Sequence, residues 1–227
     1  MLIKFKDSHF PKDVILLCIC HYLRYKLSLR DLEEIMRDRG LDVDHSTIGR
    51  WVTKYSPEII NKAMHKKNAV GRRWRMDETY IKIRGKDAYL FRAVDKSGNT
   101  VDFYVSEKRD TEAALAFFKK AIDQNGRPEL VNIDGSRSNK AALEKLNVRK
   151  HKKNRIEIRK CKYLNNIIEQ DHRGPKLRVI PMLGFKSKCS AETIIAGVEF
   201  MHMLKKNQFY IPYQCGSLSS KFNYLAS

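Results

Sequence analysis

WRMDETYIKI (74–83), DAYLFRAVD (87–95) and TVDFYVSE (100–107) follow one another with only short polar breaks between them. Aromatic and β-branched residues dominate each segment, the apolar positions recur at period two, and KSGN (96–99) supplies a turn. The sequence therefore predicts three consecutive strands in a meander. Downstream the pattern alternates. DTEAALAFFKKAIDQ (110–124) reads as a helix capped by Asp110 or Thr111, with Ala113, Ala114, Phe117, Phe118 and Ile122 on its apolar side. PELVNID (128–134) is a short buried strand, SRSNKAALEKL (136–146) a helix and IEIR (156–159) a fifth strand, after which Asn165 or Asn166 caps a helix that carries Glu169. Strands first, then strands alternating with helices, predict an α/β domain with a mixed sheet.

Upstream the period is helical. Val14, Ile15, Leu17, Ile19, Tyr22 and Leu23 recur at helix spacing between Lys12 and Tyr25. SLRDLEEIMRDRG (28–40) has Ser28 as N-cap, a Leu29, Leu32, Ile35, Met36 stripe and Gly40 as its stop. In LDVDHSTIGRWVTKY (41–55), Asp44 or Ser46 caps a third helix. Ile48, Trp51 and Val52 turn inward there, leaving Thr47, Arg50, Thr53 and Lys54 available. Two helices joined by a short Gly-containing turn, the second opening with polar and basic side chains, form the pattern of a helix-turn-helix, which a plain three-helix bundle shares. SPEIINKAMHKKNAVGRR (56–73) gathers Lys66, Lys67, Arg72 and Arg73 and reads as a helical tail running into a linker. The predicted division is an all-α helix-turn-helix domain at 1–57, a linker at 58–73, the α/β domain at 74–205 and a tail at 206–227.

Composition narrows the partner. Of 227 residues, 45 are Lys or Arg and 26 Asp or Glu, a formal charge of +19, which points to a polyanion because each neutralised phosphate releases condensed counterions. The charge names a class of partner and leaves the chemistry open. The five cysteines contain no CxxC pair, so neither a disulfide framework nor a zinc site is expected and a reducing cytoplasm fits. VILLCIC (14–20) is too short to span a bilayer, and Asp7, His9 and Pro11 before it do not suit a signal peptide.

Three acids stand at telling positions. Asp77 lies inside a strand pattern, where Asp is disfavoured and seldom buried without a partner or a metal. Its neighbour Glu78 points to the opposite face, so only one of the two is expected at a given site, and spacing does not say which. Asp134 ends a strand in IDGS, a place where ligands bind in α/β sheets and also an ordinary Asp-Gly turn. Glu169, in NNIIEQDHRGPK (165–176), reads by itself as a first-turn glutamate complementing a helix dipole. Carboxylates that converge repel one another and persist with cations between them. Two Mg²⁺ ions about 3.5 to 4 Å apart would satisfy three such groups and activate a hydroxyl for in-line attack on a phosphodiester. Asp95 and Asp102 fit turn and edge positions, His172 reads as a surface residue or a participant, and Trp51 and Trp74 as core. KLNVRKHKKNRIEIRKCK (145–162) is a basic loop, solvated or following a DNA backbone.

DHSTIGRWV, WRMDETYIKI, AYLFRAVDKSGNTVDFYVS, IDGSRSN, KYLNNIIEQDHR and PMLGFKS resemble the DDE transposases of small bacterial insertion sequences, specifically the insertion-sequence-six family, over nearly the whole chain. Thirty-four residues lie between Asp134 and Glu169, the family's spacing between its second and third acids. The resemblance implies a ribonuclease H-like fold and makes Asp77, Asp134 and Glu169 the metal-binding catalytic triad, choosing Asp77 over Glu78. It implies two Mg²⁺ ions, replaceable by Mn²⁺, and action as a homo-oligomer on double-stranded DNA, both terminal inverted repeats and target. It places a DNA contact at Lys176, seven positions after the glutamate; further DNA contacts are expected at Arg173 and, on the helix-turn-helix, at His45, Ser46, Thr47, Arg50 and Lys54. Two departures accompany it. Pro175 after Gly174 predicts a kink or break before Lys176. Gly49, where many relatives have tyrosine, predicts a weakened recognition helix. An inactive, DNA-binding transposase remnant and a purely hydrolytic nuclease of the same fold class are the competing readings.

Overall fold

A computed structural model describes residues 3, 5, 9–161, 165–212 and 214–227. In chain order the elements are α1 (Lys12–Arg24), α2 (Leu29–Arg37), α3 (His45–Met64), β1 (Arg73–Ile83), β2 (Lys86–Asp95), β3 (Thr100–Ser106) and α4 (Thr111–Asn125). There follow β4 (Leu130–Ile133), α5 (Arg137–Asn147), β5 (Glu157–Lys160), α6 (Asn166–Val179), α7 (Lys188–Lys205) and α8 (Leu218–Ala226). The chain divides into two compact units, one of Met1–Asn68, Leu177–Met182 and Cys189–Ser227, the other of Ala69–Lys176 and Leu183–Lys188.

The first unit is helical. Ser28 and Asp31 form a reciprocal capping box at the start of α2, and the Asp44 carboxylate accepts from the Ser46 amide at the start of α3, so both helices begin where their caps predict. Ile15, Ile19 and Leu23 of α1 share one core with Ile48, Val52, Ile59 and Ala63 of α3, Phe200 and Leu204 of α7, and Phe222 and Leu225 of α8. The helical core extends past the expected boundaries at 57 and 205. The apolar stripe of α3 continues through Ile59 and Ala63, and α7 and the supposed tail bury aromatic and aliphatic side chains in the helical core. Gly49 is likewise a packing position: a Cβ there would stand 3.1 Å from Leu29 Cδ1 of α2. The helix runs through it without interruption.

Gly197 is a tighter case. A Cβ on this α7 residue would fall 2.8 Å from Leu23 Cδ1, inside the van der Waals shell of a side chain only 2% exposed. Gly197→Ala should therefore cost about 1–3 kcal/mol through overpacking despite alanine's better helix propensity, read as a lower urea midpoint.

The second unit is a five-stranded sheet of order β3-β2-β1-β4-β5. The first three strands are the predicted antiparallel meander; β4 and β5 run parallel to β1. This is the mixed α/β layer expected of a ribonuclease H-like domain. Trp74, Met76, Phe91, Ala93, Val131 and Ile133 cover one face and pack on Phe117 and Phe118 of α4 and Ala142 and Leu143 of α5. The other parity of the same strands is polar: Arg75 and Asp77 in β1, Arg92 in β2, Asn132 in β4. Against that face lies the buried side of α6, with Ile168, His172 and Pro175.

Helix α6 corrects a second expectation. It continues from Asn166 to Val179 with Pro175 inside it. Proline forfeits one backbone bond, to the Asp171 carbonyl, but its ring is buried in line with Ile168 and His172, so packing offsets the loss. Lys176 thus stays two turns beyond Glu169, on the same side of the helix.

Candidate active site

Register brings the first two acids together. β1 and β4 pair in parallel as Arg73↔Leu130, Trp74↔Val131 and Arg75↔Asn132. Asp77 and Asp134 each lie two residues beyond the last pair, so the pleat returns both side chains to the same face at the same height. β4 has ended by then. The Asp134 Oδ1 atom accepts from the Ser136 amide at 2.9 Å, and Gly135 takes φ 105°, a left-handed value that suits glycine. The ordinary Asp-Gly turn and the ligand-binding position are therefore the same feature: the turn aims the carboxylate.

Glu78 was expected on the opposite face and outside the site. Its Cβ does alternate, yet Asp77, Glu78 and Asp134 each present a carboxylate oxygen within 4.8 Å of the others. Alternation separates Cβ atoms, and a glutamate reaches two bonds further, into the gap where β4 stops. The Glu78 side chain, 2% exposed, accepts from Asn139 Nδ2 of α5 at 3.0 Å and lies 3.6 Å from Arg109 Nε. Arg109 also approaches Asp134 Oδ2 at 3.9 Å. Sequence reasoning passed over Arg109 and Asn139; the one legible signal was an arginine between a strand and an N-capped helix.

Burial, with the charges of Asp134 and Glu169, pushes the Asp77 carboxyl up to about 6, while a bond from the Glu78 amide and the Lys176 charge oppose the rise. Burial raises Glu78 as well, against the pull of Arg109. Glu169 is exposed and does not join the 4.8 Å cluster; it acts on Asp77 from α6, where it lines an open cleft with Asn166, Gln170 and Arg173. His172 is buried, 3% exposed, and burial together with Arg92 and Lys176 pushes it down to about 3. It is neutral at physiological pH and is not a surface residue.

This donor set fits a hard divalent cation. Every candidate ligand is a carboxylate oxygen, the charges of Asp134 and Glu169 raise the proton affinity of Asp77, and Glu78 Oε2 is buried without a hydrogen-bond partner among the described residues.

In the helical unit Ser46, Arg50 and Lys54 are exposed along one side of α3, and Arg50 donates to Thr47 Oγ1 at 2.9 Å. His45 is tied back to α2: its Nδ1 lies 2.8 Å from Glu33 Oε2 and 3.4 Å from Asp44 Oδ2. Trp51 and Trp74 are core residues, and Asp95 is a buried turn acid accepting from the amides of Ser97, Asn99 and Gly71. The basic run is exposed from Arg149 to Arg155 and along edge strand β5; Lys162 lies outside the described residues. No helix among the described residues is long and apolar enough to cross a membrane.

Residues 71–208 match the family model of the IS240-type transposase DDE domain. The chain is 44% identical over 207 residues to the transposase for insertion sequence-like element IS431mec of Staphylococcus aureus, a match covering 90% of each chain. The transposase for insertion sequence element IS257 in transposon Tn4003, also of Staphylococcus aureus, is 44% identical over the same share of each. Among solved structures, the HTLV-2 integrase catalytic core domain in complex with magnesium has a TM-score of 0.44 and 14% identity, covering 63% of this chain and 92% of that one. The match across the DDE domain and the identity over nine-tenths of the sequence leave one conclusion: the chain belongs to the DDE transposases of the insertion-sequence-six family, enzymes of DNA transposition and recombination.

Proposed function

We propose that Asp77, Asp134 and Glu169 together hold two Mg²⁺ ions, which Mn²⁺ can replace, and that the enzyme cleaves DNA at the terminal inverted repeats of its insertion sequence and joins the freed ends to target DNA. The observation that carries this reading is the parallel register that sets Asp77 and Asp134 side by side beyond the end of β4. When bound, the cations supply charge neutralisation at the attacking and leaving oxygens of a phosphodiester. Water is the first nucleophile and exposes a 3′-hydroxyl; that hydroxyl then attacks a target phosphodiester, forming one P–O bond as another breaks. Arg109 and Asn139 hold Glu78 beside the site, and no protein nucleophile is needed.

The α3 row of Ser46, Thr47, Arg50 and Lys54, with His45 at its start, is proposed to contact the repeats. Arg173 and Lys176 on α6 are proposed to contact the strand being cut. A homo-oligomer acting on two ends in the bacterial cytoplasm completes the reading. Lys176→Ala should weaken binding to DNA of any sequence and lower the slope of log affinity against log salt by about one, measured by titration at several salt concentrations.

The test is strand transfer by purified protein with Mg²⁺ and DNA carrying the flanking inverted repeats. Joined products support the proposal. Nicked ends without joining indicate a nuclease, and retarded DNA without cleavage an inactive remnant.

A further inference from the structure

We infer that two buried polar links, Arg92–Asp171 and Asn132–Asn165, are positioning devices that register the Glu169 helix to the strands bearing Asp77 and Asp134. The inference rests on the proposed triad.

Glu169 has a problem its partners do not share. Asp77 and Asp134 are placed by strand pairing, whereas Glu169 sits on a separate helix, on its open side. Apolar packing alone would let α6 slide or roll by fractions of a turn at little cost, and a displacement near 1 Å is enough to impair a catalytic arrangement.

The two links remove that freedom. Arg92 is the antiparallel cross-strand partner of Asp77, so both side chains emerge on the same face of the sheet. Arg92 is wholly buried, and its Nη2 donates to Asp171 Oδ2 at 2.8 Å, the Asp171 side chain being 10% exposed. Asp171 lies two residues after Glu169, about 200° around the helix, so anchoring it to the sheet turns Glu169 outward into the cleft. The second link works at the other strand. Asn132 Nδ2 donates to Asn165 Oδ1 at 2.6 Å and to the Cys161 carbonyl at 2.9 Å, and both asparagines are 1% exposed. Asn132 precedes Asp134 by two residues on the same face, and Asn165 precedes Glu169 by one helical turn. Each strand acid thus has a neighbour that reaches α6 or the residue just before it, one on either side of Glu169. Two directional anchors fix both the height and the rotation of a helix.

A buried ion pair is a poor choice for stability alone, since well-packed apolar residues of similar volume often do as well or better. That permits a clean separation of roles. Arg92→Met combined with Asp171→Leu removes both charges of the pair together. The double variant is expected to unfold at a temperature near that of the parent and to retard repeat DNA equally well. It should cleave at least about tenfold more slowly, need a higher Mg²⁺ concentration for half-maximal cleavage, and show a smaller thermal shift on adding Mg²⁺ without DNA. Asp171→Asn, which keeps shape and an acceptor, should move the same Mg²⁺ readouts by less, and it carries the test if the double variant does not fold. Parental Mg²⁺ dependence and cleavage rate in a folded variant overturn the inference. Glu169→Gln runs alongside: if it still cleaves, the triad itself is wrong, whereas an inactive Glu169→Gln beside a fully active double variant overturns the positioning role alone.

Discussion

Glu169→Gln should leave DNA retardation intact and lower strand cleavage by about 10³-fold or more, equivalent to roughly 4 kcal/mol of transition-state stabilisation. The substitution keeps the size of the side chain and exchanges a charged donor for a neutral one. Glu169 is exposed on α6, its neighbours in the cleft are polar, and no buried hydrogen-bond partner among the described residues depends on it, so folding should be little affected. A variant that binds repeat DNA like the parent, melts like the parent and yields no nicked or joined product assigns the loss to chemistry. Cleavage within tenfold of the parental rate would remove Glu169 from the catalytic set.

Asp77→Asn should abolish cleavage to the same degree and also make the metal-free protein more stable. Folding raises the Asp77 carboxyl from 3.8 to about 6, so the folded state disfavours its ionised form. Below about pH 4 the group is protonated in both states and contributes nothing. As pH rises from about 4 through 6 the unfolded chain ionises freely while the folded protein resists, so a destabilising contribution accumulates and is complete above about pH 6. A shift of that size corresponds to at most about 3 kcal/mol, and partial solvent access lowers it to roughly 1–3 kcal/mol. In Mg²⁺-free buffer at pH 7.5, Asp77→Asn should therefore melt several degrees above the parent, and the difference should close by pH 4. Adding Mg²⁺ should raise the melting temperature of the parent and barely move the variant, because the cation binds the carboxylate that folding disfavours. Equal melting temperatures at pH 7.5 without Mg²⁺ would show that Asp77 is not held under electrostatic strain.

The same residues mark how far local pattern reaches. The meander, the helix caps at Ser28, Asp44 and Asp110 and the core place of Trp74 depend on neighbours within one turn or one strand, and each was legible. The acids were legible as misfits: Asp77 interrupts a strand and Asp134 ends one. Glu169 was ordinary by itself and drew its meaning from resemblance. The unexpected results came from contacts distant in sequence. The unbroken α6 depends on where the Pro175 ring is buried, the place of Glu78 on the end of β4, and the neutral state of His172 on its burial and then on Arg92, a residue 80 positions earlier.

By itself the sequence determined which segments form strands and helices, which face of each is apolar, that the partner is a polyanion, and that the chain resembles DDE transposases. These are matters of period, composition and motif, encoded over a few residues or summed over all. Only the tertiary structure decided that α7 and α8 complete the helical core, that Glu78, Arg109 and Asn139 adjoin the acids, and that Arg92 and Asn132 anchor the Glu169 helix. The first follows from apolar packing between the two ends of the chain, the others from parallel register and buried hydrogen bonds whose partners lie 30 to 80 residues apart, and none leaves a local periodicity to read.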